Sequence, residues 1–390
     1  MDFKALSPRV NLGQSRKQAK ELLKAFKAGD PEALDRIREH HPRFGGLKSA
    51  QMSDRRFVLA DAQLVIARLH YFETWPKLRH HMACLERRDL RVQRFEGAAD
   101  AIVGGDVETL QRLLGEDQEL VRQRSTRAHH APLLHYISAN GVEDYRQVSP
   151  QNAVQVAATV LDSGAEVDAT SEAYGGGWTA LGLVATSTPP RRAGVQIPLM
   201  DLLLERGAAI DGAKPGQSTV RDALANGCPE AARVLAERGA RVPDVIAASG
   251  VGRLELVERL ADGASAQELG KALVTAAGVH GNYEVVKYLL DRGVDVSTST
   301  GWTPLHAATG AADLEVIDLL IARGAPLEKK NMYGGTVLAQ AIWFAYHGDP
   351  ARLTGYAKVI EALVAAGAQT DVYPQMHEHV REIYRRAARG

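Results

Sequence analysis

Histidines are the side chains whose spacing most directly suggests chemistry in this sequence. Thirteen occur, and six of them form three adjacent pairs, His40-His41, His80-His81 and His129-His130. Neighbouring residues on a helix point about 100° apart, so an adjacent pair is a poor bidentate ligand. The run His377-Glu378-His379 has the same limitation, and no spacing of two histidines with a third ligand occurs. The sequence therefore predicts no metal site.

Motifs for catalysis are equally absent from the printed sequence. It contains no Gly-x-Ser-x-Gly elbow, phosphate loop or dinucleotide fingerprint, so we expect neither a cofactor nor an enzyme. The triplet Gly175-Gly176-Gly177 has no buried strand before it and predicts a mobile turn. Distant residues can still assemble an acid–base site, and His129, His130, His135 and Asp144 are one such set. Their simpler interpretation is that they are surface polar residues.

One stretch of the chain shows how such residues would be positioned. Residues 301–308 read Gly-Trp-Thr-Pro-Leu-His-Ala-Ala, and an apolar-patterned helix at 313–320 and Arg323-Gly324-Ala325 follow. Thr303 can cap a first helix, Pro304 suits its first turn, and Gly324 can take a left-handed ending. Because all these constraints hold together in the pattern Thr-Pro-Leu-His-x-Ala, the stretch resembles an ankyrin repeat.

Fainter copies recur at the glycine that closes each second helix. These glycines are Gly164, Gly207, Gly239, Gly263, Gly293, Gly324 and Gly367. Their successive spacings of 43, 32, 24, 30, 31 and 43 residues scatter around the ankyrin period of roughly 33. With an extra copy at 98–114, we count about eight repeats between Phe95 and Val372. The resemblance implies an all-α ankyrin-repeat solenoid of helix-turn-helix units with short β-turn fingers, stacked to bury their apolar stripes.

The sequence predicts three parts. Residues 1–94 form a basic helical capping module, 95–373 hold the repeats with three inserted loops, and 374–390 form a carboxyl-terminal capping helix. The first part is similar to the helical module that precedes ankyrin repeats in many bacterial proteins. Helices are expected at 19–28, 31–38, 56–69 and 75–86, a loop at 42–53, and a terminal helix at 376–389. Because the segment 87–95 has no Gly or Pro, we expect the module to pack against the first repeat.

Composition narrows the classes of function. No run of about 18 apolar residues and no apolar leader occurs, so we expect a protein of a bacterial-type cytoplasm that does not contact a membrane. Cys84 and Cys228 lie in no Cys-x-x-Cys motif, which favours reduced thiols. The formal charge is about +8 over residues 1–96 and −8 over the rest. Because the basic residues alternate with acidic ones along helices, we do not expect a nucleic-acid partner.

The three insertions are the most individual feature, at 140–152, 187–198 and 346–356. Insertions in repeat proteins map to loops on one face, which can bind a partner or can reflect drift at tolerated sites. The ankyrin resemblance places turns and exposed sides of first helices on a concave face. The candidate partner-binding residues there are Trp178, Asn226, His280, Trp302, Tyr333, Trp343 and Phe344. Trp178 and Trp302 can instead pack on a neighbouring turn, and Trp343 and Phe344 under the third insertion.

Two hypotheses of function follow. The first is a scaffold that binds another protein through the concave face and the inserted loops. The second is that the loops roof a pocket that binds or transforms a small molecule. An open aromatic groove would favour the first, and an enclosed cavity with convergent polar groups would favour the second.

Overall fold

The computed structural model describes residues 12–86, 90–347, 352–371 and 376–387. Within them, the α-helices α1 to α22 are Leu12–Lys27, Pro31–His40, Ser49–Ser53, Leu59–Leu69, Trp75–Glu86, Leu90–Gly104, Val107–Glu116, Ala153–Asp162, Ala180–Ala185, Thr188–Arg192, Gln196–Glu205, Thr219–Ala225, Pro229–Glu237, Val245–Gly250, Leu254–Ala261, Ala266–Ala277, Tyr283–Asp291, Pro304–Ala311, Leu314–Ala322, Val337–His347, Leu353–Ala365 and Met376–Ala387. Short 3-10 helices occupy Gln118–Arg122, Leu133–Ser138, Asp144–Arg146 and Ala173–Gly175.

The predicted all-α class is confirmed. In the described ranges, extended pairing is limited to two isolated bridges, Arg124 with Pro132 and Ser171 with Trp178. Each bridge closes a turn that precedes a first helix. None of the described helices is long and apolar enough to cross a membrane.

The chain forms two compact units, Met1–Gln217 and Ser218–Gly390. In the first unit, a helical module is followed by three helical pairs. The pairs are α6 with α7, the 3-10 helix Leu133–Ser138 with α8, and α9 with α11. The second unit consists of five pairs in chain order, from α12 with α13 to α20 with α21, followed by α22.

Local sequence signals begin and end these helices as expected. The Asp30 carboxylate accepts from the Ala33 N–H at 2.9 Å before α2. Thr303 Oγ1 accepts from the His306 N–H at 3.3 Å before α18, and Gly324 after α19 has φ of 80°. These caps satisfy backbone groups that a helix end leaves without partners. The loop predicted at 42–53 was partly wrong, because α3 forms there and buries Met52.

The second unit has one core that runs through its repeats. Val257, Leu289, Ile317 and Ile360 on successive second helices are fully buried. Helix α22 joins this core by burying Met376 and Ile383. That this helix caps the last repeat stays a prediction.

The amino-terminal module packs on the turn at 124–132 within the first unit. The Tyr71 carbonyl accepts from the Ala128 N–H at 2.6 Å, and His81 Nδ1 lies 2.8 Å from Thr126 Oγ1. Docking of the module as a unit stays a prediction. Residues 87–89, part of the connecting segment, lie outside the described residues. The expected boundary at 94 stays a prediction, and α6 runs across it.

Candidate functional site

The most exposed large apolar side chains described in the second unit lie in one repeat, in the turn before α20 and on α20 itself. Met332 and Tyr333 are 65% and 79% exposed in the turn before α20, and Trp343 on α20 is 56% exposed. Exposed aromatic groups of this size are the usual anchors of protein interfaces.

Trp302 joins the first of these groups from the preceding turn. Its ring centroid is 5.7 Å from that of Tyr333 in an edge-to-face arrangement, and 6.1 Å from that of His306. The Met332 N–H donates to the Gly301 carbonyl at 2.8 Å, which ties the two turns together. These two turns present the side chains of Trp302, Met332 and Tyr333, and we call the three residues together the aromatic turn pair. Trp302 is half-buried, so it both supports Tyr333 and presents an accessible edge.

A polar network fixes the turn that carries Tyr333. Asn331 Oδ1 accepts from the N–H groups of Tyr333 at 3.0 Å and Gly335 at 3.1 Å. Asn331 Nδ2 donates to Gln340 Oε1 at 3.1 Å, and Gln340 Nε2 donates to the His306 carbonyl at 2.7 Å. Because both ends of the turn are bonded to helices, the exposed Tyr333 is held on a rigid support.

The ring of His306 closes the same network. His306 Nδ1 lies 2.8 Å from Thr303 Oγ1, and its Nε2 lies 3.1 Å from the Gly335 carbonyl. Burial lowers the pKa of His306, so the ring is neutral at pH 7 and donates from one nitrogen only. The His306 ring therefore links the turn at Thr303 to the turn at Gly335, as expected for the histidine of the Thr-Pro-Leu-His pattern.

Trp343 and Phe344 point to different surroundings. Trp343 packs on His347, one helical turn further along, with centroids 5.1 Å apart and both residues exposed. Phe344 is half-buried and stacks on Tyr356 of α21 at 5.4 Å, with an angle of 10° between the rings. Trp343 therefore provides the accessible surface, and Phe344 fixes the helix that carries it.

Asn226 and His280 lie just after first helices and are exposed. The Asn226 side-chain amide donates to the Asp222 carbonyl at 2.8 Å, so it caps a carbonyl at the carboxyl end of α12. His280 Nδ1 lies 3.1 Å from the carboxylate of Asp313, a nearly buried residue that also caps α19. Neither residue contacts the aromatic turn pair among the described contacts.

In the first unit, Trp178 is half-buried next to a more exposed ring that sequence reasoning missed. Tyr174 is 66% exposed with φ of 50°, and its ring centroid lies 6.2 Å from that of Trp178. The Tyr174 hydroxyl donates to Asn140 Oδ1 at 2.7 Å, and Asn140 Nδ2 donates to Thr186 Oγ1 at 3.1 Å. A residue of the first insertion thus fixes a strained turn that had been expected to be mobile.

Two residues of the first insertion, Glu143 and Arg146, are buried in a charged cluster, which sequence reasoning also missed. Glu143 Oε1 is 2.7 Å from Arg127 Nε and 3.4 Å from Arg146 Nη1. Arg127 Nη1 and Arg146 Nη2 also contact Glu96 at 2.6 and 3.0 Å. The side chains of Glu143 and Arg146 are 1% and 2% exposed. We call Glu96, Arg127, Glu143 and Arg146 the buried ion cluster.

Charge pairing in the buried ion cluster overcomes the effect of burial. Burial would raise the pKa of Glu143, but Arg127, His129 and Arg146 lower it to about 2. Burial would lower the pKa of Arg127, but Glu96 and Glu143 raise it above its usual value. All four groups are therefore charged at pH 7. Removal of Glu143 would leave Arg127 paired with Glu96 alone and Arg146 paired with Glu96 and Asp100, so both buried guanidinium groups would lose part of their compensating charge.

The four residues considered for acid–base chemistry are only partly brought together. His129 Nδ1 accepts from the Ala131 N–H at 3.0 Å, and its Nε2 is 3.5 Å from Glu143. Asp144 accepts a hydrogen bond from the Tyr71 hydroxyl. His135 is fully buried, with Nε2 2.8 Å from the Ala169 carbonyl, and burial lowers its pKa to about 4. His129 and Asp144 support the insertion, and no group of three or more metal-ligating residues forms in the described residues.

The described parts of the other insertions also contact first helices, that of the same repeat for the second insertion and that of the preceding repeat for the third. Gln196 Nε2 donates to the carbonyls of Val184 at 2.9 Å and Ser187 at 3.2 Å. Arg352 Nη2 donates to the Ala311 carbonyl at 2.5 Å, while residues 348–351 lie outside the described residues. These contacts connect inserted residues to the ends of first helices.

Comparison with known proteins identifies the repeats. Residues 245–331 and 273–373 match the profile of the family Ankyrin repeats (3 copies). Residues 245–373 match ankyrin repeats. This confirms the resemblance that the pattern at 301–325 carried. The ankyrin match begins at Val245, so the earlier helical pairs lie outside it.

Two further comparisons give the extent of the similarity. An ankyrin repeat and KH domain-containing protein of Caenorhabditis briggsae is 29% identical over 190 residues, 44% of this chain. The chain spans only 7% of that relative's length. The crystal structure of the human ASB11 ankyrin repeat domain is 22% identical, with a TM-score of 0.35 over 70% of this chain and 98% of that one.

Proposed function

We propose that this chain is a protein-binding scaffold whose second unit binds a partner through the aromatic turn pair and Trp343. Ankyrin repeats are in general protein-interaction modules, and their turns and first helices line one side of the stack. The 79% exposure of Tyr333 on a turn fixed by Asn331 is the observation that carries the proposal.

A rigid support favours binding, because a partner that binds a flexible loop must order it, and this ordering costs conformational entropy. The bonds from Asn331 to Gln340 and from Gln340 to the His306 carbonyl already order the turn that carries Tyr333. A partner that covers Tyr333 gains the apolar burial without that cost. Tyr and Trp also lose few rotamers on binding for the area they bury.

The other candidate residues have defined parts in this proposal. Phe344 positions α20, so that Trp343 meets the partner. Asn226 and His280 extend the contact surface toward the earlier repeats of the second unit. Trp178 belongs to the first unit, where it would contribute together with Tyr174.

Site-specific photo-crosslinking tests the proposal. A photoreactive phenylalanine analogue replaces Tyr333 in one variant and Asp318, exposed on second helix α19, in a matched control. We expect a discrete crosslinked partner protein from Tyr333 and none from Asp318, with the product lost when Trp343→Ala is added. Equal labelling from both positions, or no dependence on Trp343, would contradict binding at this surface.

The small-molecule alternative depends on inserted loops that enclose a pocket. In the first insertion, the side chains of Glu143 and Arg146 form ion pairs with Arg127 and Glu96. We therefore favour the protein-binding scaffold, and we propose a non-enzymatic role for the chain.

A further inference from the structure

We propose that acid opens the contact between the amino-terminal module and the turn at 124–132, because protons that bind His70 and His81 separate helices α4 and α5 from that turn. This inference concerns the first unit and does not depend on the binding surface proposed for the second. It follows from two buried imidazole rings that lie close to Arg127, whose carboxylate partners are already shared with another arginine.

Both rings lie where the module meets the turn. His70 directly follows α4, and the carbonyl of the next residue, Tyr71, accepts from the Ala128 N–H at 2.6 Å. His81 lies on α5, with Nδ1 2.8 Å from Thr126 Oγ1. The two histidines are 8% and 3% exposed. A proton that binds either ring therefore places a positive charge inside the contact.

Arg127 makes a further positive charge unfavourable at this contact. The His81 ring centroid is 5.0 Å from that of Phe72, and the guanidinium carbon of Arg127 is 5.6 Å from the centroid of the same Phe72 ring. The charge of Arg127 also acts on His70, whose Nε2 is buried and has no hydrogen-bond partner among the described residues. Each protonated ring would therefore be a poorly solvated cation beside a fixed one.

The carboxylates near the contact are already paired. Besides Arg127, the groups that act most strongly on His81 are Glu96 of α6 and Arg146 and Glu143 of the first insertion. Glu96 and Glu143 each contact both Arg127 and Arg146, so the buried ion cluster is neutral by itself. Protonation of His81 would give this surrounding a net positive charge.

The other titratable groups on this side of the unit are engaged as well. Glu73 pairs with Lys77 at 2.6 Å, and Asp144 accepts a hydrogen bond from the Tyr71 hydroxyl. His129 lies 3.5 Å from Glu143, and the Tyr145 hydroxyl accepts from Arg127 at 3.1 Å. Further groups at the edge are His130, 3.8 Å from Glu73, and Asp100, which pairs with Arg146. An added proton on His70 or His81 thus finds no carboxylate reserved for it among these groups.

The direction of the pH effect follows from these surroundings. Burial, and after it Arg127, lower the pKa of both histidines from 6.5 to about 4. Because the pKa is lowered in the closed state, the contact is at full strength above pH 6.5 and weakens as the pH falls from 6.5 toward 4. Between pH 7 and pH 5, each histidine should favour the open state about 20-fold. The pKa values of Glu96 and Glu143 are lowered too, so both acids stay ionised in this interval.

The test is hydrogen exchange of the full chain at pH 7, 6 and 5, measured by mass spectrometry and corrected for the intrinsic pH dependence of exchange. We expect protection in peptides from 59–86 and 124–132 to fall about tenfold or more between pH 7 and pH 5. Protection in peptides from 229–261 of the second unit, which contain no histidine, should stay unchanged. Constant protection of 59–86, or an equal loss in all three regions, would overturn the inference.

Variants assign the acid response to the two histidines. His70→Gln and His81→Gln each remove one ionisable ring, and His80→Gln is the matched control, because His80 is exposed on the same helix α5. Each single variant should keep part of the loss of protection between pH 7 and pH 5, the double variant almost none, and the control all of it. A double variant that responds to acid as wild type does would overturn the inference.

The comparison holds for variants of lower stability, because the readout is the change between two pH values within one variant. If His81→Gln already opens the contact at pH 7, His81→Phe takes its place, alone and in the double variant, since it keeps a ring against Phe72. Acid-dependent opening of 59–86 that persists with His81→Phe and His70→Gln combined would then count against the inference in the same way.

Discussion

Replacement of Glu143 by Gln should strongly destabilise the first unit although it preserves the shape of the side chain. Glu143 Oε1 contacts both Arg127 and Arg146 and is nearly buried. The neutral amide leaves two buried guanidinium groups with less compensating charge. Breaking a buried ion pair in this way costs about 3–5 kcal/mol.

The pKa of Glu143 gives an independent magnitude. It falls from 4.5 to about 2 on folding, and a tenfold change in a proton-binding constant corresponds to about 1.4 kcal/mol, so the ionised group contributes about 3 kcal/mol. A lowered folded-state pKa means that this contribution is complete above pH 4.5. It is lost as the pH falls from 4.5 toward 2. The stability difference between wild type and Glu143→Gln should therefore narrow across that interval.

Urea unfolding and hydrogen exchange measure the two expectations. Unfolding is followed at pH 7, 5, 4 and 3 for wild type and Glu143→Gln. At pH 7, exchange measured by mass spectrometry should rise in peptides from 90–162 and stay unchanged in peptides from 254–322. Glu119→Gln is the matched control, because Glu119 pairs with Arg122 at 3.0 Å with both side chains about 70% exposed.

Two results would refute this reasoning. If Glu143→Gln unfolds at the same urea concentration as Glu119→Gln, the buried ion cluster does not stabilise the unit. If the difference between wild type and Glu143→Gln is constant from pH 5 to pH 3, the stabilisation does not come from the ionised carboxylate.

Further substitutions test the strained turns and the caps. Ala312→Gly relieves a residue with φ of 54° and should raise the free energy of unfolding by about 0.5 kcal/mol, measured by urea unfolding. Tyr174→Phe removes the hydroxyl that bonds to Asn140, and hydrogen exchange in peptides covering 171–178 should increase. Ile383→Ala removes a fully buried side chain of α22 and should cost about 2–5 kcal/mol, so unchanged unfolding would argue against a cap. Trp343→Ala should leave the melting temperature within about 2 °C of wild type, because the ring is largely exposed.

The repeats could be predicted from sequence because their signals are local. Thr303, Pro304 and Gly324 each act within a few residues, through a cap, a fixed φ and a left-handed ending. The same holds for Asp30 at α2. Each signal depends on backbone groups that lie next to it in the chain, so no knowledge of distant contacts is needed.

The candidate surface was only partly predictable. The pattern placed Tyr333 and Trp343 at turns and first helices, but their exposure depends on neighbours distant in sequence. Phe344 is adjacent to Trp343 in the chain and is half-buried only because Tyr356 lies across the third insertion. Met332 directly precedes Tyr333 in the same turn, so the sequence also indicated Met332 as a candidate surface residue.

The buried ion cluster could not be predicted, because its members are far apart in sequence. Glu96 and Arg146 are 50 residues apart and come together only through folding. Charged residues in an insertion normally indicate a solvated loop, and by this rule the side chains of Glu143 and Arg146 would be exposed. Burial of both reverses this interpretation for the middle of the first insertion.

Backbone strain is concentrated around the first insertion. Of the five described non-glycine residues with positive φ, four lie in this insertion's surroundings: Tyr71, His130, Ala139 and Tyr174. Left-handed backbone costs about 1–2 kcal/mol for each such residue, or roughly 4–8 kcal/mol together. The insertion provides compensating bonds at two of these positions, because Asp144 accepts from the Tyr71 hydroxyl and Asn140 Oδ1 accepts from the Tyr174 hydroxyl. The strained turns and the insertion stabilise each other, so deletion of residues 140–152 should destabilise both. Drift at a neutral loop does not explain this mutual dependence.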